Sequence, residues 1–394
     1  MNKQIRLALV SVYMPQKPEP QRLGDAERII REGRELAKGD PDLLRAEAQL
    51  WLNRGDSAKA VAAGRAAIAA APKDLNVQRM LLSILAEARD YAGLAKEADR
   101  LIAEDKERWW AVLARGVAKR YSSDKDGAVQ DFEAALNLTQ AQRNEGAAQE
   151  VINTIAREIG VDDALTRILP RADKEPRWRF AAAQLYLRRG NYDRAAEAVE
   201  RLVAEGDKLQ PNERLQVLRF AGTMYQTYQP QPQADKAYQA YLKVLDIEPN
   251  DFATLNNIAC LVAEQLNPPR PKEALQYSQK AFDVMSSSGR RDALIFDTHG
   301  WVLTLNDRPQ EGIELLRQAV ALQSFAEGHY HLGEAYLRTA AGEDAQKQLE
   351  LAAEMLRQAE EKKQPVDFTL KTRVETALGK AKELTRSKSA NASP

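Results

Sequence analysis

The sequence predicts an all-α array of paired helices, and three observations carry the prediction. Ala26, Ala60, Leu94 and Ala128 follow one another at steps of 34 residues, and Ala48, Leu82 and Gly116 keep the same step twelve residues ahead of the last three. Within each period a small residue and then a bulky one recur at helical spacing. The composition is 44% hydrophobic but only 6% aromatic, with much of the apolar fraction Ala, which suits helices that approach closely over small side chains. Such a period with a central turn describes a helical hairpin that packs on its neighbours in the chain. The 394 residues are therefore read as one elongated array rather than as two or three compact domains.

The elements follow in order. LALVSVYM, after Lys3 and Arg6, resembles a signal peptide in outline, but it is short, lacks an A-x-A site and runs into PQKPEPQ. Read instead as a helix, Leu7 to Tyr13 opens the first repeat, and Met1 then begins a fragment of a longer array. The second unit, PDLLRAEAQLWLNRGDSAKAVAAGRAAIAAAPKD, is the most complete: Ala48 and Trp51 share a face of the first helix, and Gly55-Asp56 makes the turn. Ala60, Gly64 and Ala67 give its second helix a small-residue face, and Pro72 marks the exit. Units three and four keep the spacing with Leu82, Leu94, Gly116, Ala128, Phe132 and Ala135, and Lys119 stands where an aromatic is usual. From Gln142 to Arg171 helical periodicity persists without a Gly-Tyr pair, and a bend or joint is placed near Pro170 to Pro176.

The sixth unit returns to the pattern with Ala183, Tyr186, Gly190, Tyr192 and Ala195. Four more run from Arg214 to Glu248, Phe252 to Val284, Leu294 to Leu322 and Ala326 to Leu356. Their first helices pair Gly222 with Tyr225, Ala259 with Val262, Gly300 with Leu303 and Gly333 with Tyr336. The turns YQPQPQAD and EQLNPPRPKEA are lengthened and stiffened by proline, and such loops commonly contact partners. Gly312 stands inside a helix where Ala is usual, so Gly312→Ala is expected to raise stability by about 0.5 to 1 kcal/mol. VDFTLKTRVETALGKAKELT reads as an amphipathic cap, and SKSANASP as a disordered tail. The organisation expected is thus an array over 1–172, a second over 173–358, a cap over 359–387 and a tail over 388–394.

The residues of the second and sixth units resemble those of tetratricopeptide repeat (TPR) proteins, whose unit carries G-x2-Y in its first helix and A-x3-F in its second. The resemblance covers most of the chain. It implies a right-handed superhelical solenoid of about ten helix-turn-helix repeats, whose first helices line a concave groove that binds peptides or helices of other proteins. LNNIACLVAEQLNPPRPKEALQYSQKAFDV and FDTHGWVLTLNDRPQEGIELLRQAVAL are further similar to repeats of bacterial proteins associated with export of cell-surface polysaccharide. One branch of the family binds acidic C-terminal tails through Lys and Asn. The matching places here hold Arg177 and Ala181, Gln216 and Phe220, Ala253 and Asn257, Leu294 and Thr298, then Glu327 and His331, of which only Arg177 and Asn257 suit.

Composition narrows function further. Lys plus Arg and Asp plus Glu both total 57, so no net field gathers nucleic acid or anionic lipid. No apolar run reaches the roughly 18 residues that span a bilayer. One cysteine, Cys260, excludes an intramolecular disulfide and a cysteine zinc cluster, and it fits cytoplasm and periplasm alike. No G-x-S-x-G, phosphate loop, dinucleotide fingerprint or H-E-x-x-H occurs. The expectation is a non-catalytic scaffold for other proteins, with no cofactor, metal or specific small molecule. An envelope component of export and the regulatory piece of a larger enzyme are the competing readings.

Candidate partner-binding residues fall in stripes along first helices. Arg177, Phe180, Gln184 and Arg188 form one, continued by Gln216 and Arg219, a mixed Gln/Arg strip suited to an extended backbone or a carboxylate. Asn256 and Asn257 begin another with Cys260, continued by Asp297 and Trp301, although Trp301 also suits packing between units. Glu327, His331, Glu334 and Arg338 share a third stripe. It offers a charged row to a metal or a basic peptide, but one imidazole and two carboxylates fall short of a zinc set, and a solvated charged face is the simpler reading. His299, His329 and His331 assemble no site by spacing, since the last two point to different sides of a helix.

Overall fold

The structure is a computed structural model that describes residues 3–13 and 20–391. It divides into two compact units, Met1–Arg189 and Gly190–Pro394. The first unit holds α1 (Lys3–Tyr13), α2 (Pro20–Leu36), α3 (Pro41–Asn53), α4 (Ser57–Ala70), α5 (Leu75–Glu87), α6 (Tyr91–Glu104), α7 (Trp109–Tyr121), α8 (Lys125–Ala141), α9 (Glu145–Glu158), α10 (Val161–Ala172) and α11 (Pro176–Arg188). The second holds α12 (Tyr192–Ala204), α13 (Pro211–Gln226), α14 (Ala234–Ile247), α15 (Phe252–Cys260), α16 (Pro271–Ser287), α17 (Ala293–Leu305), α18 (Pro309–Leu322), α19 (Ala326–Arg338), α20 (Gly342–Glu361) and α21 (Phe368–Asn391). Among the described residues there is no strand, and the fold is all-α and TPR-like. In the first unit the odd-numbered helices touch one another in succession from α1 to α11, and in the second from α15 through α17 to α19, so first helices of successive hairpins form a row in each of these stretches.

Side-chain caps start many of these helices. Asp40, Asp56, Asp74, Asp90 and Asp124 each accept backbone N–H groups at the head of α3, α4, α5, α6 and α8, satisfying donors that no helical turn reaches. The turns inside the second, third and fourth hairpins need a left-handed residue, and Gly55, Arg89 and Ser123 supply it with φ of 75°, 58° and 67°. Only the first is glycine, yet all three stand 34 residues apart. Packing on both sides thus imposes a conformation that costs roughly 1 kcal/mol in a residue with a Cβ.

The small-against-large pattern is how each hairpin interlocks. Ala48, Ala60, Leu94 and Ala128 are all fully buried. A Cβ on Gly116 would stand 2.8 Å from the Phe132 ring, one on Gly333 would stand 2.6 Å from Leu349, and one on Gly222 would overlap Tyr241. Gly312 corrects the sequence expectation. Its added Cβ would press into the Thr304 hydroxyl and come within 2.5 Å of the Gly300 carbonyl oxygen, so α17 and α18 meet backbone to backbone. The glycine is required for contact, and Ala there destabilises rather than stabilises.

Four further differences from the expected organisation follow. Residues 142–171, the weakest in pattern, form the regular pair α9 and α10, because Val151, Ile152, Ile155, Leu165 and Ile168 bury a full apolar face. Pro170 lies within the last turn of α10, and the division between units falls at Arg189. The tail expected to be disordered is helical through Asn391 as the end of α21, and residues 392–394 lie outside the described residues. α20 runs on to Glu361, and the cap proper is α21, seated through Val374, Ala377 and Ala381 on the core of the last hairpin.

Candidate functional site

The richest polar constellation lies on the first helices α15, α17 and α19 of the second unit. Asp297 and His331 hold equivalent places, 34 residues apart, on α17 and α19. His331 Nδ1 stands 2.9 Å from Asp297 Oδ2, with both side chains below one-tenth exposure. Trp301, one turn after Asp297, stacks on the imidazole with centroids 4.5 Å apart, and Tyr330 packs at 6.1 Å from Trp301. Arg338 lays its guanidinium 5.7 Å above the Trp301 ring and donates to the Thr304 carbonyl, again 34 residues away. Cys260 Sγ sits 3.2 Å from Thr298 Oγ1 and ties α15 to α17.

Electrostatics follow from this enclosure. Burial alone would hold His331 neutral, but the carboxylates of Asp297, Glu327 and Glu264 outweigh it, and its pKa is raised. Glu327, at the exposed start of α19, is also raised, first by local desolvation and then by Asp297, Glu264 and Asp367, with His331 opposing. Burial pushes the Cys260 thiol up to about 12, so it is a neutral packing group rather than a nucleophile. Four buried polar atoms in this row have no hydrogen-bond partner among the described residues: Asn256 Oδ1, Asp297 Oδ1, Trp301 Nε1 and His331 Nε2. Buried groups left unsatisfied cost about 1 to 3 kcal/mol each, so a cluster of them is a place where binding has something to gain.

The structure brings some sequence candidates together and separates others. Asp297, Trp301, His331 and Arg338 converge, so the stripe expected to be a solvated charged face is corrected: His331 is buried, because the step that pairs repeats places Asp297 beside it. Glu327 and Glu334 on the same stripe make no hydrogen bond or ion pair among the described residues. Asn256 and Asn257 diverge, Asn256 being buried and Asn257 donating to the Tyr241 hydroxyl at 3.4 Å. Arg219, read as a free clamp, is engaged by Asp251 at 2.8 Å and by Glu248, while Gln216 is exposed. In the first unit Arg177 is bound to Glu175 at 2.8 Å and lies over Trp178, Phe180 and Gln184 are half-buried, and Arg188 is exposed.

The other two histidines are structural. His299 accepts or donates at Ser278 Oγ, 3.0 Å away, and burial pushes it down to about 4. His329 is held at both ring nitrogens, by Ser324 and Gln348 at 2.8 Å each. Among the described residues no group of three or more His, Cys, Asp or Glu is placed to hold a metal ion, and no described helix is long and apolar enough to cross a membrane. One buried carboxylate of the first unit escaped sequence reading. Asp131 on α8 is gripped by Arg115 through Nε and Nη2 at 2.9 and 2.7 Å and by Lys119 at 2.9 Å, which explains a lysine where an aromatic is usual.

No family model matches the chain, and no curated protein does. Solved structures resemble it. A chain of the APC/C hetero-tetramer Cut9–Hcn1 is 15% identical over 95% of this chain and 62% of its own length, with a TM-score of 0.42. Yeast Tom70 is 15% identical over 98% and 97%, with a TM-score of 0.39. The C-terminal part of a TPR repeat-containing protein from Cytophaga hutchinsonii is 17% identical over 62% and 95%, with a TM-score of 0.40. The chain thus spans less than two thirds of the Cut9–Hcn1 chain it resembles. At these identities the fold assignment rests on this chain's own helices and period.

Proposed function

We propose that the chain is a non-catalytic scaffold that binds a peptide or helix of a partner protein along the first-helix row of its repeats. The observation that carries this reading is the set of unpartnered buried polar atoms on α15, α17 and α19, donors and acceptors of the kind that pair with an extended backbone or with polar side chains. The exposed or half-buried candidates Gln184, Arg188, Gln216 and Asn257 extend the contact surface on their own helices. The similarity of α15 to α18 to repeats of polysaccharide-export proteins makes the cell envelope the process to examine first, by fractionating the native host.

Partners recovered from the host by pull-down are to be titrated against wild type, Arg177→Ala/Arg188→Ala and Asn257→Ala/Asp297→Ala, with melting temperatures measured in parallel. The second variant is expected to lose about tenfold in affinity, equivalent to roughly 1.4 kcal/mol, while staying folded. Unchanged affinity in both variants moves the interaction to the even-numbered helices or to the loops at Pro230 and Pro269, and turnover of any small substrate by the purified protein sinks the scaffold reading.

A further inference from the structure

Around α15, α17, α19 and α21 of the second unit, carboxylates outnumber the cations free to answer them. The charged groups facing this region are Glu264 after α15, Asp297 on α17, Glu327, His331, Glu334 and Arg338 on α19, and Asp367, Arg373 and Lys380 on or before α21. Most cations are already engaged. His331 serves Asp297, Arg338 serves the Thr304 carbonyl and the Trp301 ring, and Arg373 reaches back over 109 residues to Glu264 at 3.0 Å. Asp367 caps α21 by accepting from the N–H groups of Thr369 and Leu370. Glu327 and Glu334 remain without an ion pair among the described residues, two helical turns and about 10 Å apart on one side of α19, with Lys380 across the cleft from Glu334 the one cation left over.

Two observations besides the acidic cluster point to a guest. Asp297 Oδ1 is buried with no hydrogen-bond partner among the described residues, and its charge is close enough to contribute to the raised Glu327 carboxyl. An open cleft of about 580 Å³ runs between α19 and α21, with Tyr330, Glu334, Phe368, Thr372, Arg373 and Lys380 along it, and Phe368 is 73% exposed at its end. Tyr330 forms the shared wall, packing on Trp301 and on His331 at 5.6 Å. The guanidinium of Arg373, which lines the cleft with Tyr330, is already held by Glu264, which shows the chemistry the region accepts: a planar cation held by carboxylate.

We propose that Glu327, Glu334 and Asp297 receive the cationic side chains, Lys or Arg, of a bound polypeptide segment, and that Arg373 holds Glu264 in the free protein as an internal stand-in that such a segment displaces. The proposal rests on the scaffold reading and adds the chemistry of the partner. It accounts for three features together: the unpaired carboxylates of α19, the half-satisfied Asp297, and a terminal helix tied by one exposed ion pair to a repeat three hairpins earlier.

The test is a selection of random 12-residue peptides displayed on phage against the full chain, followed by fluorescence anisotropy of the recovered peptides, blocked at both ends. Recovered peptides are expected to be rich in Lys and Arg, to weaken about tenfold against Glu327→Gln/Glu334→Gln, and to bind about threefold tighter to Arg373→Gln. Glu327 is exposed and Glu334 half-buried, and glutamine keeps the shape of each, so the fold is retained, and replacing each peptide Arg by the uncharged isostere citrulline gives the same readout from the other side. Peptides without basic enrichment that still respond to Asn257→Ala/Asp297→Ala overturn the cation pocket and leave the groove reading standing. Recovery of no peptide overturns both, and unchanged or weaker binding to Arg373→Gln removes the stand-in role.

Discussion

Asp131 in the first unit and Asp297 in the second are buried to the same degree, 4% and 5% exposed, yet their surroundings differ. Asp131 receives a bidentate guanidinium and an ammonium, so both of its oxygens are saturated by cations from α7. Asp297 receives one imidazole, and its second oxygen meets nothing. A saturated buried carboxylate holds a structure together, since removing it strands its partners. A half-satisfied one sits in a strained polar environment that a bound group can complete. Burial alone therefore does not separate a structural acid from a binding acid; the count of occupied lone pairs does.

The largest expected effect tests that difference directly. Asp131→Ala, which leaves Arg115 and Lys119 facing each other, is expected to cost about 4 kcal/mol in denaturant unfolding. Asp297→Ala is expected to cost roughly 1 kcal/mol, because it removes an unsatisfied oxygen along with a paired one. Equal losses at the two sites would break the comparison.

Next in size is the pH dependence, which separates the histidines of the second unit. His299 has a folded pKa of about 4, below its unfolded value near 6.5, so the unfolded chain takes up the proton first. Stability is complete above pH 6.5 and is lost as pH falls towards 4, by about 3 kcal/mol in all. His331 runs the other way: its raised pKa contributes stability that is present below pH 6.5 and lost as pH rises through the folded value. Melting temperature measured from pH 4 to 8 should lose its acid limb in His299→Gln, whereas a limb that survives this change assigns the acid sensitivity to another group.

A further effect concerns the platform that carries Asp297. Gly312→Ala pushes α18 away from Thr304 and Gly300 on α17, the helix of Asp297, and is expected to cost about 2 kcal/mol by overpacking. A gain in melting temperature would show that the two helices part without penalty.

Much of this was legible in residues, and the misses have physical reasons. The period placed the hairpins and the buried positions Ala48, Ala60, Leu94 and Ala128, because burial against a neighbour repeats whenever the neighbour does. The same step joins Asp297 to His331 and Thr304 to Arg338, so the central pair was available to anyone reading across repeats rather than along one helix. Gly312 was misjudged because helix propensity weighs an isolated helix, while the decisive atom, the Gly300 carbonyl oxygen, belongs to another one. Arg219 was misjudged because Glu248 and Asp251 come from the following turn, outside any stripe that helical spacing on α13 reveals.

The recurring step has a mechanical consequence. Asp193 to Tyr228, Glu273 to Tyr238, Pro271 to Asn306 and Asp297 to His331 join groups 34 or 35 residues apart in the second unit, each one tying a repeat to the next. Tension applied along the chain loads such ties in series, one repeat boundary at a time. Each rupture then frees a single repeat, about 110 to 120 Å of extended chain, and the molecule lengthens under load in even increments, as a chain of links would.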